Sequence, residues 1–317
     1  TLRPGDRSSA IATSVILLSL LPVARHGRLA MLDGTQLTAM ALLWLALLQL
    51  NQRRWSGLWG MVAGLMASAM LLLKAPLLVP SAVAAGLALV WGQEWKVWNN
   101  RATACIGFLL GLAPGMGWHL WHAHIRGAEA LWLWGGDGAG RVLLDAGEGS
   151  DLGWRVPVIE ILEGGWPWLP LIPFALIWAW RWRQSRWGRW SLASLLTLAG
   201  AILPLRTQLP WYSHPLWLPI ALLCAPLLVW LVERPSSSCS DAPDSPRQPW
   251  RRLLLRLPSF WCGLGLLLLL LWLSSFSSIG SSLAPYRGLT AVLGLGWCGG
   301  GWLLKSAAPW QRRLGVI

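Results

Sequence analysis

The 317-residue chain is 55% hydrophobic and only 12% charged, whereas a soluble domain carries about 25% charged residues. This composition excludes an ordinary soluble protein and predicts an integral membrane protein. The formal net charge of +13 does not indicate nucleic acid binding, because the basic residues form short clusters between apolar runs, where they anchor a chain against anionic lipid.

Ten apolar runs follow one another along the chain, and a membrane-spanning helix needs about 17–25 residues. They cover residues 9–24, 35–50, 57–73, 76–91, 103–121, 167–180, 190–204, 214–232, 258–279 and 288–304. The pattern predicts an all-α, polytopic transmembrane helix bundle of about ten spans. If the runs alternate in direction, 18 of the 26 Lys and Arg residues fall on one side, which the positive-inside rule makes cytoplasmic.

The chain divides at a stretch rich in Pro and Ser. Residues 1–232 are predicted to form a body of eight spans, 233–257 a flexible cytoplasmic linker, and 258–317 a tail of two spans. Many of the 27 Trp residues lie at span ends, as expected of interfacial anchors. The five Cys residues form no CxxC pair, so neither a disulfide framework nor a zinc site is indicated.

The predicted outer side differs from the basic cytoplasmic side. Its loops carry eight of the 13 acidic residues. Its longest stretch, 122–166, is mostly too polar to span and is predicted to form an interfacial helix with an irregular loop. No Walker loop, dinucleotide fingerprint, GxSxG or HExxH motif occurs in the sequence, so the functional face is expected to be the outer one.

Two charged residues on this outer side stand at the ends of apolar runs. Asp33, in RHGRLAMLDGTQ, is either a helix N-cap or a carboxylate at the mouth of a membrane cavity, able to act as a base. Lys74, in LLLKAPLLVPS, is the only charge from 57 to 93 and lies in a very tight connection. It either snorkels to water or binds an anion such as phosphate.

Two further groups combine aromatic and titratable side chains. In GMGWHLWHAHIRG, His119 and His122 share a helical face and form either a substrate-binding pair or an interfacial aromatic cluster. No carboxylate accompanies them at a metal-like spacing, so no metal site is predicted. In LRTQLPWYSHPLW, Arg206, Tyr212 and His214 lie in one short loop, which suits either recognition of a phosphate or sugar or interfacial anchoring.

Taken in order, these motifs resemble the polytopic GT-C glycosyltransferases that use lipid-phosphate sugars, such as the dolichyl-phosphate-mannose protein mannosyltransferases and the aminoarabinose transferase of lipid A. The matching segments are RLAMLDGTQ, the lysine hairpin at Lys74, WRVPVIEILEGGWPWLPLIPFAL and LPWYSHPLWLPIAL, within about residues 20–232. The resemblance implies a GT-C-like bundle with a layer of outer loops and interfacial helices. The family's first outer loop, with its leading carboxylate, has no counterpart, so the chain is expected to lack the N-terminal spans and that loop.

The resemblance also implies roles for the residues. Asp33 would be catalytic and corresponds to the second acidic site. Lys74, Arg206 and Tyr212 would bind the phosphate of the sugar donor, and His214, His119 and His122 would bind substrate. The only cofactor-like molecule expected is the polyprenyl-phosphate sugar, which is itself a substrate.

The implied function is transfer of a sugar to a lipid, glycan or protein acceptor at the extracytoplasmic face of the inner membrane. The expected partners are membrane lipids, the lipid-linked donor and that acceptor, with no nucleic acid. The alternatives are a transporter or flippase of a lipid-linked solute, which should carry midplane charges and internal repeats, and a non-catalytic membrane scaffold.

Overall fold

The structure, a computed structural model, describes residues 7–29, 31–52, 54–97, 100–129, 131, 153–205, 208–233, 249–277 and 281–316. The described residues are helical, with no β-strand among them, which confirms the all-α prediction. The helices are α1 Arg7–Ser19, α2 Leu21–Arg28, α3 Leu32–Gln49, α4 Ser56–Lys74, α5 Leu78–Trp91, α6 Arg101–Arg126, α7 Arg155–Gly164, α8 Ile172–Arg181, α9 Arg186–Ile202, α10 His214–Glu233, α11 Pro249–Leu254, α12 Leu257–Ser274, α13 Arg287–Lys305 and α14 Pro309–Leu314.

Four stretches within the described ranges are long and apolar enough to cross a membrane. They are Ser56–Trp91, Arg101–Arg126, Pro210–Glu233 and Arg252–Ser274. A fifth span results if α1 and α2, which are bent by 67° at a break, are taken as one. The prediction of about ten spans is therefore not supported, although each predicted run lies on helix.

The count differs because apolar length along a sequence does not show where a helix breaks or merges. The first predicted run breaks at Leu20, one residue after α1 ends. The run 167–180 yields only the 3₁₀ turn Leu169–Leu171 and the 10-residue helix α8. The runs 57–73 and 76–91 fall in the single stretch Ser56–Trp91, which is counted once although the 3₁₀ turn Ala75–Leu77 divides it into α4 and α5.

The chain nevertheless reverses direction at this 3₁₀ turn. The side-chain amide of Gln36 donates to the carbonyl oxygen of Lys74 at 3.1 Å, and the indole of Trp44 donates to the carbonyl oxygen of Ser81 at 3.0 Å. From the first contact to the second, the residue number increases both on α3 and on the chain after Lys74. It follows that α5 runs parallel to α3, whereas α4, whose last residue meets the first turn of α3, runs the opposite way.

Two compact units divide the described residues. The first comprises Leu17–Trp166 and Leu176–Leu223, and the second comprises Pro167–Ala175, Cys224–Ile317 and the start of α1 up to Ile16. Residues 234–248, which include most of the predicted linker, lie outside the described residues. The predicted division into a body, a linker and a tail stays a prediction.

Glycines allow α4 and α6 to pack backbone to backbone in the first unit. A Cβ added at Gly64 would overlap the carbonyl oxygen of Phe108, and one added at Gly111 would overlap that of Met61. Contacts advance in the same direction along both helices, from Gly60 with Ala104 to Gly64 with Phe108 and to Ser68 with Gly115, so α4 and α6 run parallel. Spacings of four residues between small side chains are the usual means of close helix contact in a membrane.

Alanine at these glycines is expected to loosen the helix pair. Gly64→Ala and Gly111→Ala should each lower the free energy of unfolding by about 1–3 kcal/mol, because the added methyl has no room. Gly117→Ala is the control, since Gly117 lies on α6 like Gly111 and no atom of the described ranges lies within 4 Å of an added Cβ. It should be neutral or stabilising by up to about 1 kcal/mol. Thermal unfolding in detergent tests this, and equal shifts for Gly111→Ala and Gly117→Ala would contradict the packing.

A salt bridge joins α5 to α9 at the end of the first unit that is remote from Lys74. Glu94 lies just after α5, and its Oε1 accepts from Arg189 Nη2 at 2.8 Å and from Arg186 Nε at 3.2 Å. Arg189 also fills the space beside Gly92, where an added Cβ would meet its guanidinium. The basic side chains at the start of α9 are thus fixed to the end of α5.

In the second unit, α12 and α13 form an antiparallel hairpin. Gly265 contacts the backbone of Cys298, and Gly301 contacts that of Pro258. The C-terminal helix α14 is fixed by Arg312, whose side chain is buried at 2% exposure. The guanidinium of Arg312 donates to the carbonyl oxygens of Val232 (2.6 Å), Ser306 (2.9 Å) and Ala307 (2.7 Å).

Candidate functional site

The centre of the candidate site is an ion pair between Asp33 and Lys74. Asp33 lies in the first turn of α3 and Lys74 is the last residue of α4, and their Oδ1 and Nζ atoms are 2.5 Å apart. The Asp33 side chain is 10% exposed and that of Lys74 34% exposed. The carboxylate is therefore mostly enclosed, while the Lys74 side chain remains partly accessible.

The N-cap interpretation of Asp33 is wrong. The residue that caps α3 is Met31, which makes no side-chain hydrogen bond, and Asp33 lies inside the first turn. Its carboxylate still benefits from the positive end of the helix dipole, but its bound partner is the Lys74 ammonium. Simple snorkelling of Lys74 does not describe this residue either, because its ammonium is bound to the Asp33 carboxylate and its side chain is only partly exposed.

Lys74 is held at its backbone as well as at its side chain. Gln36 lies one turn after Asp33 on α3, and its Nε2 donates to the Lys74 carbonyl oxygen at 3.1 Å. The other end of this amide, Oε1, is buried and has no hydrogen-bond partner among the described residues. A buried acceptor without a partner is costly, so Gln36 Oε1 marks a place where a hydrogen-bond donor from outside the protein would be stabilised.

A pair of histidines forms the second part of the site. His26 Nδ1 and His214 Nε2 are 2.6 Å apart, and the rings meet edge to face with centroids 4.5 Å apart. Both residues are buried, at 7% and 4% exposure. His26 lies near the end of α2, and His214 is the first residue of α10. At this distance the two nitrogens form a hydrogen bond, in which one ring donates its N–H and the other accepts through its bare nitrogen.

The two pairs lie within electrostatic reach of one another. The Asp33 carboxylate attracts positive charge on either imidazole, and the Lys74 ammonium opposes it on His214. We refer to Asp33, Lys74, His26 and His214 as the four-residue cluster. Its members come from the last residues of α2 and α4 and the first residues of α3 and α10, so the cluster occupies one end of these helices.

The helix α7 packs beside this cluster. A Cβ added at Gly164 would overlap the ring of Pro22 on α2 and lie 3.6 Å from the indole of Trp217 on α10. Trp217 is fully buried, and its indole Nε1 has no hydrogen-bond partner within the part of the chain that the structure describes. Burial and the nearby Glu163 carboxylate raise the pKa of Glu160 on α7, against the opposing effect of Arg25 on α2.

Three other predicted site residues, His119, His122 and Tyr212, are described by the structure and lie outside the four-residue cluster. His119 Nε2 is 3.4 Å from the carbonyl oxygen of Leu71, one turn before Lys74. His122 stacks on Trp118 with centroids 6.1 Å apart. Tyr212 lies in the 3₁₀ turn Pro210–Ser213, two residues before His214, and is half-buried. Arg206 lies outside the described residues, so its predicted role stays a prediction.

Sequence analysis missed His26, Gln36 and Trp217. His26 stands in the segment that carries Asp33, but nothing in that segment indicates a partner 188 residues away. The spacing of Gln36, three residues after Asp33, could have identified it, because residues i and i+3 share a helical face. Within the described ranges, no three His, Cys, Asp or Glu side chains gather in a way that would hold a metal ion.

Comparison with known proteins adds no relative to this picture. No protein family, no curated protein and no solved structure matches the chain.

Proposed function

We propose that the protein transfers a sugar from a polyprenyl-phosphate donor to a lipid, glycan or protein acceptor at the extracytoplasmic face of the membrane. The observation that carries this proposal is the ion pair of Asp33 and Lys74 beside His214. A partly exposed cation and an enclosed carboxylate, held at one end of apolar helices, are the two charges that this reaction requires.

The reaction forms a bond between an acceptor oxygen and the anomeric carbon and breaks the bond from that carbon to the phosphate oxygen. The electron pair leaves with the phosphate, whose growing negative charge needs a fixed positive group. The Lys74 ammonium has three N–H donors, of which one is bound to Asp33. The others can bind a phosphate oxygen through the exposed third of the side chain, with Arg206 and Tyr212 as further ligands.

The acceptor hydroxyl must be oriented and must lose its proton. Asp33 is fixed by Lys74 and by the start of α3, so its carboxylate offers a second oxygen at a defined position. We assign Asp33 the binding of the acceptor hydroxyl and His214 the binding of substrate next to it. The buried Gln36 Oε1 is a further acceptor of a sugar hydroxyl.

The distribution of charge supports an extracytoplasmic site. In the first unit, Arg54, Arg101, Arg186 and Arg189 stand beside the helix ends that are remote from the cluster. A membrane protein keeps its excess of Arg and Lys in cytoplasmic loops. The cluster would then face the other side, which is the periplasmic side if the protein resides in an inner membrane.

A transfer assay tests the proposal. The full-length protein in proteoliposomes is given radiolabelled polyprenyl-phosphate mannose, glucose or aminoarabinose together with outer-leaflet lipid, glycan and peptide acceptors. Label is expected to move to one acceptor class and to depend on the protein. Protein-dependent movement of the intact donor across the bilayer without transfer would instead favour a transporter, and no reaction with any donor would overturn the proposal.

A further inference from the structure

The histidine pair shares one hydrogen bond between two groups that can each carry a proton. A neutral imidazole has one N–H and one bare nitrogen. Since His26 Nδ1 and His214 Nε2 face each other at 2.6 Å, one ring uses its N–H and the other its bare nitrogen for this bond. The pair can take up one proton and share the resulting charge, whereas a second would place two positive charges in contact.

Asp33 is poorly available as the final proton acceptor. Its Oδ1 is bound to the Lys74 ammonium, and protonation of the carboxyl would dissolve that ion pair and leave Lys74 without its counter-charge. The nearby imidazoles have no such conflict, because neither is bound to Lys74. Burial disfavours a positive charge on either ring, and the Asp33 carboxylate offsets part of this cost. The charged groups that act on the pair are Arg25 and Asp33 on His26, and Asp33 and Lys74 on His214.

We propose that the His26–His214 pair is the proton acceptor of the transfer reaction and that Asp33 orients the acceptor hydroxyl and stabilises the charged pair. This inference rests on the proposed function. In the step, the acceptor O–H bond breaks. Its proton joins the bare nitrogen that is not used in the hydrogen bond between the two rings, which lies on the ring that donates this bond. The oxygen forms its bond to the anomeric carbon as the phosphate leaves with the electron pair of the broken bond. The proton is afterwards released to water.

Two substitutions each replace one ring of the pair by an amide, which can still form the hydrogen bond to the other ring. In His26→Asn the side-chain amide occupies the position of Nδ1, and in His214→Gln it occupies that of Nε2. Transfer to octyl glucoside, an ordinary alcohol acceptor, is expected to fall by about 10²–10⁴-fold in each variant, which is the usual contribution of a positioned general base. His124→Asn is the control, because His124 is exposed near the end of α6 and has no role in the site.

A second acceptor separates a chemical role from a structural one. With a phenol acceptor, whose hydroxyl is far more acidic, little help from a base is needed, so the loss in His26→Asn and His214→Gln is expected to shrink to a few-fold. A loss of equal size with both acceptors, or transfer within about three-fold of wild type with octyl glucoside, would overturn the proton-acceptor role. Absence of transfer by the wild-type protein would instead overturn the proposed function, and the inference with it.

Discussion

Replacing Asp33 by Asn is expected to lower sugar transfer by about 10²–10⁴-fold, because the variant lacks the carboxylate that, in the proposed reaction, orients the acceptor and stabilises the charged histidine pair. Lys74→Met should also abolish efficient transfer, since the leaving phosphate loses its fixed cation. The measurement is the initial rate of transfer from a labelled polyprenyl-phosphate sugar in proteoliposomes, together with the thermal unfolding of each variant.

The double variant Asp33→Asn with Lys74→Met separates the chemical role of the ion pair from its structural role. Each single substitution leaves one charge without its partner, whereas the double substitution removes both. Stability is therefore expected to recover in the double variant relative to at least one single variant, while transfer stays low. Transfer that recovers along with stability would show that the pair is only structural.

A matched control lies at the other end of the same unit. Glu94→Gln weakens the salt bridge of Glu94 with Arg189, which is also a carboxylate bound to a basic side chain of another helix. It is expected to lower the unfolding temperature without changing the rate of transfer per folded molecule. A loss of transfer as large as that of Asp33→Asn would contradict the assignment of the site to the Asp33 end.

Replacing Arg312 by Met is expected to destabilise the second unit by about 3 kcal/mol or more. The guanidinium holds the carbonyl oxygen of Val232 through a buried hydrogen bond and those of Ser306 and Ala307 through part-buried ones. A hydrogen bond to a charged group contributes about 1.5–3 kcal/mol. Arg312→Lys should recover only part of the loss, because an ammonium cannot reproduce the planar fork of donors. Thermal unfolding in detergent gives the shifts.

The neighbouring residue supplies the control for this experiment. Arg313 is exposed, so Arg313→Met removes the same charge from the same helix without orphaning a buried carbonyl. Its effect should stay within about 0.5 kcal/mol, as for most surface substitutions. Equal effects at the two positions would mean that net charge, and not the buried hydrogen bonds, stabilises α14.

The helical class and several polar positions could be predicted from the sequence. Long apolar runs leave helix as the favoured structure in a membrane, because it satisfies the backbone internally. Isolated charges such as Asp33 and Lys74 then draw attention, since a charge next to apolar helix is costly without a partner. The sequence does not indicate that these two residues are partners, and its motifs suggest a separate role for each.

The number of spans and the close helix contacts could not be predicted from the sequence in this way. The break at Leu20 and the short helix α8 depend on tertiary packing that composition does not reveal. The contact of α4 with α6 has a signal in the sequence, the four-residue spacing of Gly60 with Gly64 and of Gly107 with Gly111. His26 had none, because a single imidazole in a basic segment says nothing about its partner.

The two halves of the cluster close loops of very different length, and this sets an order for their assembly. Asp33 and Lys74 are 41 residues apart, so their pair forms once two neighbouring helices have been made. His26 and His214 are 188 residues apart, so their hydrogen bond can form only after α10 has been synthesised. The entropic cost of bringing two residues together also rises with the length of the loop between them. The ion pair is therefore the early, local part of the site, and formation of the histidine pair completes the four-residue cluster.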